Sequence, residues 1–410
     1  MRSIILLNAV VAVLAVPYSE YILAPSTRNI SPVSVLGTNG DVQDAASLTI
    51  PQAASSAVFN GVSSVVYDFG KNIAGYITFD VESLSDDALH AFGVTFTESS
   101  LWINDTYCDG VQDVGLDLPL VFDVSAPGQY QAPPGRERGG FRYITFVHNS
   151  TGSATVANLT VLFTPEPSMQ DPANYTGYFN SDNEKLNRVW YAGVYTNQLC
   201  TIDPTAGSAL QIPTDIWYYN ATISNGTSVL VDGGKRDRIV WPGDIFVSGP
   251  SIFVSTGNSE SIRNGINSLL QIQNDDGKLP YCGDPFHALL TEAMGTYAWS
   301  FTYHLYSLID IYDYYIFTGD LDYVKQTWTQ FKLAMKYSLS TIDSSGLANV
   351  TSSADWLRFG MGGHNIEVSC LVRLCNIDYK FLIFSTRQTP YSTILLDSES
   401  SSPTPSAIPK

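Results

Sequence analysis

The spacing of apolar positions divides the chain into two regions. Between about residues 63 and 164, apolar and polar side chains alternate with period two in short segments separated by Gly and Pro. Such alternation is typical of half-buried β-strands. Several short strands without long helices between them predict a β-sandwich, which we place over residues 18–165. The clearest predicted strands span 64–69, 75–81, 92–97, 118–124, 141–147 and 154–163.

The pattern changes at Pro165-Glu166-Pro167, which predicts a linker over residues 166–180. Beyond it, apolar residues recur every three or four positions, the spacing of one helix face. Ser181 and Glu184 have the spacing of a capping box, which predicts that Ser181 caps the first helix. Helical spacing fades after Glu367, and the chain ends in a Ser/Pro-rich segment, so a disordered tail is predicted over 368–410. Further helices are predicted over 259–272, 287–317 and 321–342.

The N-terminus predicts export from the cell. Met1-Arg2-Ser3 precede an apolar run that is too short to cross a bilayer, which is the pattern of a signal peptide over residues 1–17. Eight Asn-x-Ser/Thr sequons favour the same route, because these sites accept glycans in secreted proteins. We therefore expect a secreted glycoprotein without a membrane partner. The sequons begin at Asn29, Asn104, Asn149, Asn158, Asn174, Asn220, Asn225 and Asn349.

Composition narrows the classes of function. The 410 residues include 21 Lys and Arg against 39 Asp and Glu, a net charge of −18, which excludes nucleic acid as a natural partner. The 44% of hydrophobic residues exclude disorder over most of the chain. Only 15% of residues are charged, which favours a protein that handles neutral ligands such as sugars. The five cysteines follow no zinc-binding pattern, and their odd number leaves the disulfide pairing open.

The densest group of charges lies in the segment Asp232-Gly233-Gly234-Lys235-Arg236-Asp237-Arg238-Ile239-Val240-Trp241-Pro242-Gly243-Asp244. Its Gly and Pro residues predict a loop that leads into a helix near Asp244. A loop of this kind can turn several side chains into one pocket. Carboxylates can bind sugar hydroxyls while an exposed Trp241 indole covers the apolar face of the ring. The alternative is a surface loop of salt bridges with little energetic consequence.

This segment resembles the acidic motif of the α-L-rhamnosidase family of glycoside hydrolases. In that motif an Asp is followed by an Arg, an acidic residue and then Trp-x-Gly-Asp. Other segments resemble the family in the same order along the chain, so that the resemblance runs from about Val65 to Glu367. Several motifs in order are more specific than any one of them. These segments are 68–75, 140–143, 177–181 and 186–190.

The resemblance implies a β-sandwich followed by an (α/α)₆ barrel of six helical hairpins. It also implies inverting hydrolysis of terminal α-L-rhamnose from a glycoside. Separately, the sequence shows no cofactor-binding motif and no evident metal site, so we expect neither. Asp237 falls where the family places its general acid, although the family most often has the longer Glu there. Asp232 and Asp244 fall at its sugar-binding carboxylates, with Trp241 beside them. The remaining substrate-binding candidates are Arg236, Asp355 and Trp356.

Inversion also needs a carboxylate base, roughly 6.5–9.5 Å from the acid. In the family this base is a Glu late in the barrel, whereas the matching sequence here ends near Glu367. We place a partial catalytic domain over 181–367, which has room for about six or seven helices instead of twelve. The barrel is therefore expected to be incomplete and the base to be missing. Two alternatives stay open: a non-catalytic carbohydrate-binding or inert fragment, and a six-hairpin glycosidase for another sugar.

Overall fold

The computed structural model describes residues 18–50, 56–85, 89–111, 115–208, 216–295, 299–350, 352, 355 and 362–387. Over these residues strands dominate the first half and helices the second. The signal peptide and the Ser/Pro-rich end, both sequence predictions, lie outside the described residues. The described strands are β1 Asn29–Ile30, β2 Ser34–Gln43, β3 Ser56–Leu84, β4 His90–Thr97, β5 Leu120–Val124, β6 Gly128–Gln131, β7 Arg138–His148, β8 Ser153–Phe163, β9 Thr201–Ile202 and β10 Val229–Leu230. The described helices are α1 Glu184–Leu199, α2 Pro242–Phe253, α3 Ser259–Gln271, α4 Phe286–Met294, α5 Phe301–Thr318, α6 Leu321–Ser340 and α7 Ile366–Arg387.

Strands β1 to β8 form one antiparallel sheet among the described residues, which we call the β-domain. Its main path runs β1-β8-β3-β7-β4-β5, while β2 and β6 also pair with β3. The predicted strands at 64–69 and 75–81 are both parts of β3. Between them Gly70 has a φ of 77° and the pairing with β7 shifts register, so the strand bends without ending. The sheet curls, and this large curled sheet is what the structure confirms of the predicted β-sandwich.

Asp68 and Arg142, which lie in two of the segments that resemble the family, form an ion pair between β3 and β7. The Arg142 guanidinium donates two hydrogen bonds to the Asp68 carboxylate, from Nε at 2.8 Å and from Nη2 at 2.9 Å. Asp68 also accepts from the Gly70 N–H at 2.6 Å, within the bend of β3. The hydrogen bonds from Arg142 hold the pKa of Asp68 below its ordinary value. The bidentate pair therefore fixes the bend of β3 against β7.

Phenylalanine side chains fill the interior of the β-domain. Phe59, Phe79, Phe92 and Phe146 are all fully buried. The ring centroid of Phe146 lies 5.0 Å from those of Phe79 and Phe92 and 5.6 Å from that of Phe59. Aromatic pairs at such spacings contribute about 0.5–1.5 kcal/mol each beyond burial of their area. The same hydrophobic core continues into α1 and to Trp217, so the β-domain and the start of the helical region share one interior.

The start of α1 differs from the sequence prediction. Asn183, and not Ser181, caps the helix, because the Asn183 side chain accepts from the N–H groups of Lys185 and Leu186. Ser181 instead donates from Oγ to Asn187 Oδ1 at 3.0 Å. The amide of Asn187 also donates to the Ser181 carbonyl at 3.0 Å, so it clamps the chain ahead of the helix. An Asn at the cap position satisfies the same free N–H groups that the capping box would.

The predicted helices at 259–272 and 321–342 are confirmed as α3 and α6. The stretch predicted as one helix over 287–317 contains two, α4 and α5. Gly295 ends α4 with a φ of 57°, which favours glycine. Ser300 begins α5, because its side chain accepts from the Tyr303 N–H. Helical periodicity continues across these two residues, which is why the sequence pattern alone does not show the break.

The prediction of a disordered tail from residue 368 is wrong as far as Arg387, because α7 covers that stretch. Val368, Val372, Cys375 and Leu382 are buried along this helix, which packs on α5 and α6. Their spacing of three, four and seven residues is helical. The intervening Arg373, Lys380 and exposed Leu374 obscure that spacing in the sequence.

Two further features concern the whole described chain. Each of the five cysteines is a free thiol, and Cys108, Cys282 and Cys375 are buried. No helix in the described ranges combines the length and the apolar character needed to cross a lipid bilayer.

Candidate active site

The charged segment 232–244 forms a closed loop between β10 and α2, which we call the acidic loop. Its ends meet where the Asp232 N–H donates to the Ile239 carbonyl at 3.2 Å. The Ile239 N–H donates in return to Asp232 Oδ1 at 3.0 Å. Pro242 then begins α2, where its fixed φ suits the first helical position and its missing N–H is not needed. Asp244 lies in the first turn of α2, the helix end that favours negative charge.

Asp237 lies at a strained point of this loop. It has a φ of 60° and the next residue, Arg238, has a φ of 55°. The Arg238 N–H donates to the Arg236 carbonyl at 3.0 Å, which makes Asp237 the central residue of a γ-turn. Left-handed backbone at residues other than glycine costs about 1–3 kcal/mol each and persists where the surroundings enforce it. Such strain clusters at functional sites, so the finding supports Asp237 as a functional residue.

Arg238 enforces this conformation from a fully buried position. Its guanidinium donates to the Ala206 carbonyl from Nε at 3.0 Å and from Nη2 at 2.8 Å, and to the Gly234 carbonyl from Nη1 at 2.7 Å. The Tyr219 ring lies against it, 4.1 Å from the guanidinium carbon. Arg238 therefore anchors the acidic loop through backbone carbonyls, and these hydrogen bonds do not involve the carboxylates of Asp232, Asp237 or Asp244. Arg236, predicted to bind substrate, is exposed at the surface of the loop.

The β-domain holds the acidic loop from the other side. Lys235 Nζ lies 2.7 Å from Glu98 Oε2 and 3.2 Å from Asp109 Oδ2. Gly139 of β7 approaches Gly234 so closely that a Cβ on Gly139 would lie 1.8 Å from the Gly234 carbonyl oxygen. Only glycine fits at this contact. The position of the loop is thus set by the first half of the chain as well as by the helices.

Three carboxyl groups of the acidic loop lie close to one another, as the sequence predicts. Burial raises the pKa of Asp232 well above its ordinary range, and the neighbouring carboxylates of Asp237 and Asp244 add to this effect. Burial also raises the pKa of Asp244 to about 6, again with a contribution from Asp237. Asp232 therefore holds a proton at neutral pH, while Asp244 is mostly ionised. A group that can supply a proton stands next to one that can accept hydrogen bonds from hydroxyls.

Trp241 forms an aromatic wall beside these carboxyl groups, but its exposure differs from the expectation. It is only 4% exposed, because later aromatic residues cover it. Tyr281 and Tyr303 pack edge-on against the indole, with ring centroids 5.1 and 5.9 Å away. The expectation of an open indole face is wrong for this conformation. Trp241 supports the site from behind and places Tyr281 near it.

Asp355 and Cys282, from two different segments of the chain, are the remaining described residues near the acidic loop. Asp355 is buried and close enough to Tyr281 to raise the pKa of its hydroxyl, after the larger effect of burial. Cys282, also buried, lies near Asp232 and Asp237, and burial raises the pKa of its thiol. The structure thus brings Asp355 to the aromatic wall of the acidic loop. Trp356, predicted beside it, lies outside the described residues.

Asp310 is a buried carboxyl group that the sequence analysis misses. It lies on α5, its side chain is 2% exposed, and neither oxygen has a hydrogen-bond partner among the described residues. Burial raises its pKa well above the ordinary value, with smaller contributions from Asp313 and Asp244. Burial therefore favours its protonated, neutral form. An Asp within the apolar pattern of α5 is the only sequence signal for it.

Two observations concern other ligands. The described part of the chain contains no group of three or more His, Cys, Asp or Glu side chains placed to bind a metal ion.

A cleft of about 690 Å³, which we call the interdomain cleft, lies beside Arg238 between the β-domain and the helical region. Glu137, Ala206 and Tyr219 line it, and all three contact Arg238. The carboxylates of the acidic loop are not among its described lining residues.

The helical region is similar to one known protein family. Residues 215–375 match the family model described as the bacterial α-L-rhamnosidase six-hairpin glycosidase domain. This range includes the acidic loop and α2 to α6. None of the curated proteins matches the chain significantly.

Solved structures resemble the fold over most of the chain. A rhamnosidase from Klebsiella oxytoca with rhamnose bound matches with a TM-score of 0.61 and 19% identity, covering 90% of this chain and 70% of that one. The GH78 family rhamnosidase of Bacillus sp. GL1 matches with a TM-score of 0.58 and 18% identity, and the match covers 83% of this chain and 31% of that one. The Streptomyces avermitilis α-L-rhamnosidase complexed with L-rhamnose matches with a TM-score of 0.50 and 14% identity, and the match covers 80% of this chain and 28% of that one. At these identities the likeness concerns the fold alone. The chain spans about a third or less of the last two structures.

Proposed function

We propose that this chain is a glycosidase of the α-L-rhamnosidase type and acts on glycosides that end in α-L-rhamnose, because residues 215–375 match the six-hairpin glycosidase domain of that family. The reaction would be hydrolysis with inversion at the anomeric carbon. The observation that supports it most directly is the acidic loop, where Asp237 occupies a strained turn beside the proton-holding Asp232. The described part of the chain would supply the acid side of this chemistry.

In the proposed reaction Asp237 protonates the glycosidic oxygen as the bond from that oxygen to the sugar breaks. A general acid needs a proton to give at the working pH, and Asp232, which is hydrogen-bonded to Asp237, holds one there because burial raises its pKa. Water attacks the opposite face of the sugar while a carboxylate base removes its proton. The developing charge on the sugar ring is positive, so the ionised Asp244 stabilises it and also accepts hydrogen bonds from hydroxyls.

Recognition of the sugar would come from the same group of residues. Asp232 and Asp244 would bind hydroxyls, and Arg236, at the exposed surface of the loop, would contact the substrate as it enters. Trp241 and Tyr281, which pack edge to face, would form one wall of the sugar pocket. Asp355 and Trp356 would extend the pocket. The surrounding architecture would be a β-sandwich beside an incomplete (α/α)₆ barrel, in a protein that is exported.

The general base has no assigned residue among those described. Asp310 is a further buried carboxyl group, but burial, with smaller contributions from Asp313 and Asp244, raises its pKa well above the ordinary value and so disfavours the ionised form that a base needs. We therefore propose that this chain binds rhamnose and hydrolyses rhamnosides slowly. A protein that binds the sugar without turning it over is the competing outcome.

The acid role can be tested with leaving groups of different basicity. Purified chain and its Asp237→Asn variant would be assayed on phenyl and 2,4-dinitrophenyl α-L-rhamnosides. Loss of a general acid should reduce kcat/KM for the phenyl glycoside by roughly 10²–10⁴ and leave the dinitrophenyl glycoside nearly unchanged, because its leaving group needs no proton. Asn also tolerates the left-handed backbone at position 237, so the loop should persist.

Asp275→Asn, at an exposed position away from the acidic loop, serves as the matched control. Binding of L-rhamnose, followed by calorimetry, should survive Asp237→Asn and disappear in Asp244→Asn. Equal losses on both glycosides in Asp237→Asn would reject the acid assignment. Absence of rhamnose binding by the unmodified chain would reject the proposed function itself.

A further inference from the structure

The asparagines of the eight sequons differ from the other asparagines in their exposure. All eight are exposed in the described part of the chain. Of the thirteen other described asparagines, nine are half-buried or buried, and Asn187, Asn258 and Asn264 are among the buried ones. A buried amide cannot carry a sugar in the folded protein. The sequon positions are therefore those at which the fold tolerates a glycan.

Asn220 differs from the other sequon asparagines in its surroundings. It follows Tyr219, whose N–H donates to the Gly135 carbonyl at 2.9 Å and so ties this segment to the β-domain. Asn220 lines the interdomain cleft together with Pro134 and Asp203. Its amide makes no hydrogen bond within the described residues, so Nδ2 is available for modification.

We propose that Asn220 carries an N-linked glycan whose first sugars lie in the interdomain cleft. In the transfer, Nδ2 of Asn220 forms a bond to C1 of the first sugar of a polyprenyl-diphosphate-linked oligosaccharide. The bond between C1 and the diphosphate oxygen breaks, and the lipid diphosphate leaves with the electron pair. Nδ2 loses one proton, and Thr222 supplies the sequon hydroxyl.

The cleft has the chemistry and the size for sugars. Its volume is about 690 Å³, and its lining combines apolar faces with hydrogen-bonding groups. Tyr76 and Pro134 belong to the β-domain side, whereas Asp203 and Thr205 belong to the helical side. A glycan on Asn220 would contact both sides and would stabilise the junction on which the acidic loop depends. The proposal requires export but does not depend on the hydrolysis of rhamnosides.

Asn225 provides a matched control, because it is an exposed sequon asparagine only five positions away and is not among the cleft residues. The full chain would be secreted from a eukaryotic host and its peptides analysed by mass spectrometry. We expect glycan mass on the Asn220 peptide. In the native protein an N-glycosidase should release the Asn220 glycan at least tenfold more slowly than the Asn225 glycan, and after denaturation at the same rate.

Variants give a second measurement. Asn220→Gln should lower the Tm of the secreted protein by several degrees more than Asn225→Gln, since only the former removes sugars from the cleft. The same two variants made in a bacterial host, which adds no glycan, should have equal Tm values. An unmodified Asn220 peptide, equal release rates at the two sites in the native protein, or retention of the chain inside the host without any glycan would each overturn the proposal.

Discussion

Arg238 of the acidic loop and Glu137 of the β-domain form a buried ion pair. Arg238 Nη2 lies 3.3 Å from Glu137 Oε1, and the two side chains are 0% and 4% exposed. Glu137 Oε1 also accepts from Thr164 Oγ1 at 2.8 Å. Because Arg238 directly follows Asp237, this contact between distant parts of the sequence sets the position of the candidate acid. The β-domain therefore helps to set the geometry of the candidate site.

Breaking this pair should destabilise the protein strongly. Arg238→Met leaves Glu137 buried without its cation and removes the hydrogen bonds to Ala206 and Gly234, so we expect a loss of about 3–5 kcal/mol in the free energy of unfolding. Arg188→Met is the control, because Arg188 pairs with Glu184 at an exposed surface and should cost less than 1 kcal/mol. Urea unfolding measures both. Similar costs for the two variants would contradict the role of Arg238 as an anchor.

Two glycines should respond to alanine in opposite directions. Gly139→Ala places a methyl group 1.8 Å from the Gly234 carbonyl oxygen, so the acidic loop must move away from β7. We expect lower stability and loss of rhamnose binding. Gly193→Ala lies in α1 with open space around the new methyl group and should stabilise the protein by about 0.5–1 kcal/mol. Thermal unfolding and calorimetric binding check both expectations. Rhamnose binding unchanged in Gly139→Ala would separate the loop position from the site.

The sequence predicts the parts of the site that are close together along the chain. Asp232, Asp237 and Asp244 fall within one loop, so connectivity alone brings them near each other. Glu137 and Tyr281 reach the site from distant segments, and no local pattern connects them with it. Trp241 shows the same limit, because the residues that cover it come from later in the chain.

Contacts between distant segments also limit how much of the fold the sequence predicts. Period-two alternation identifies the strand segments but cannot show that β3 continues through its bend at Gly70, since that depends on Asp68 pairing with Arg142 on another strand. The helical spacing of α3 and α6 is strong enough to predict both. For α7 the buried positions are spaced correctly, but only packing on α5 and α6 distinguishes it from a tail.

Glu166, in the segment predicted as a linker, should make the protein less stable at alkaline pH. It is 1% exposed, and burial raises its pKa to about 7, although Asn258 Nδ2 donates to its Oε1 at 2.6 Å. The folded state therefore holds a proton that the unfolded state loses above an ordinary pKa of about 4.3. This contribution is fully present below that value and is lost as the pH rises through about 7.

Glu166→Gln keeps the acceptor for Asn258 and removes the titration. We expect the variant to match the unmodified protein near pH 4 and to exceed its stability at pH 8 by on the order of 3 kcal/mol. Glu82→Gln, at an exposed position, should leave the pH dependence unchanged. Urea unfolding at both pH values checks this. If Glu166→Gln were no more stable than the unmodified protein at pH 8, the buried carboxyl would not be the source of the loss.

His304 should make the protein less stable at acid pH, whereas Glu166 should do so at alkaline pH. It is fully buried between α5 and α6, where Nδ1 accepts from the Leu279 N–H at 3.0 Å and Nε2 lies 2.9 Å from Ser338 Oγ. Burial lowers its pKa to about 3. The unfolded state takes up a proton below about pH 6.5 while the folded state stays neutral. The stability from neutral His304 is thus present above pH 6.5 and falls by up to about 1.4 kcal/mol per pH unit as the pH drops towards 3.

His304→Gln cannot titrate and should flatten this acid side of the stability profile. The variant can be less stable at pH 7.5 through imperfect packing, so the slope of unfolding free energy between pH 6.5 and 4.5 is the relevant quantity. We expect that slope to fall by on the order of 1 kcal/mol per pH unit in His304→Gln. His364→Gln, at an exposed position where the imidazole pairs with Asp343, controls for the loss of a histidine. An unchanged slope in His304→Gln would show that the buried imidazole does not govern acid unfolding.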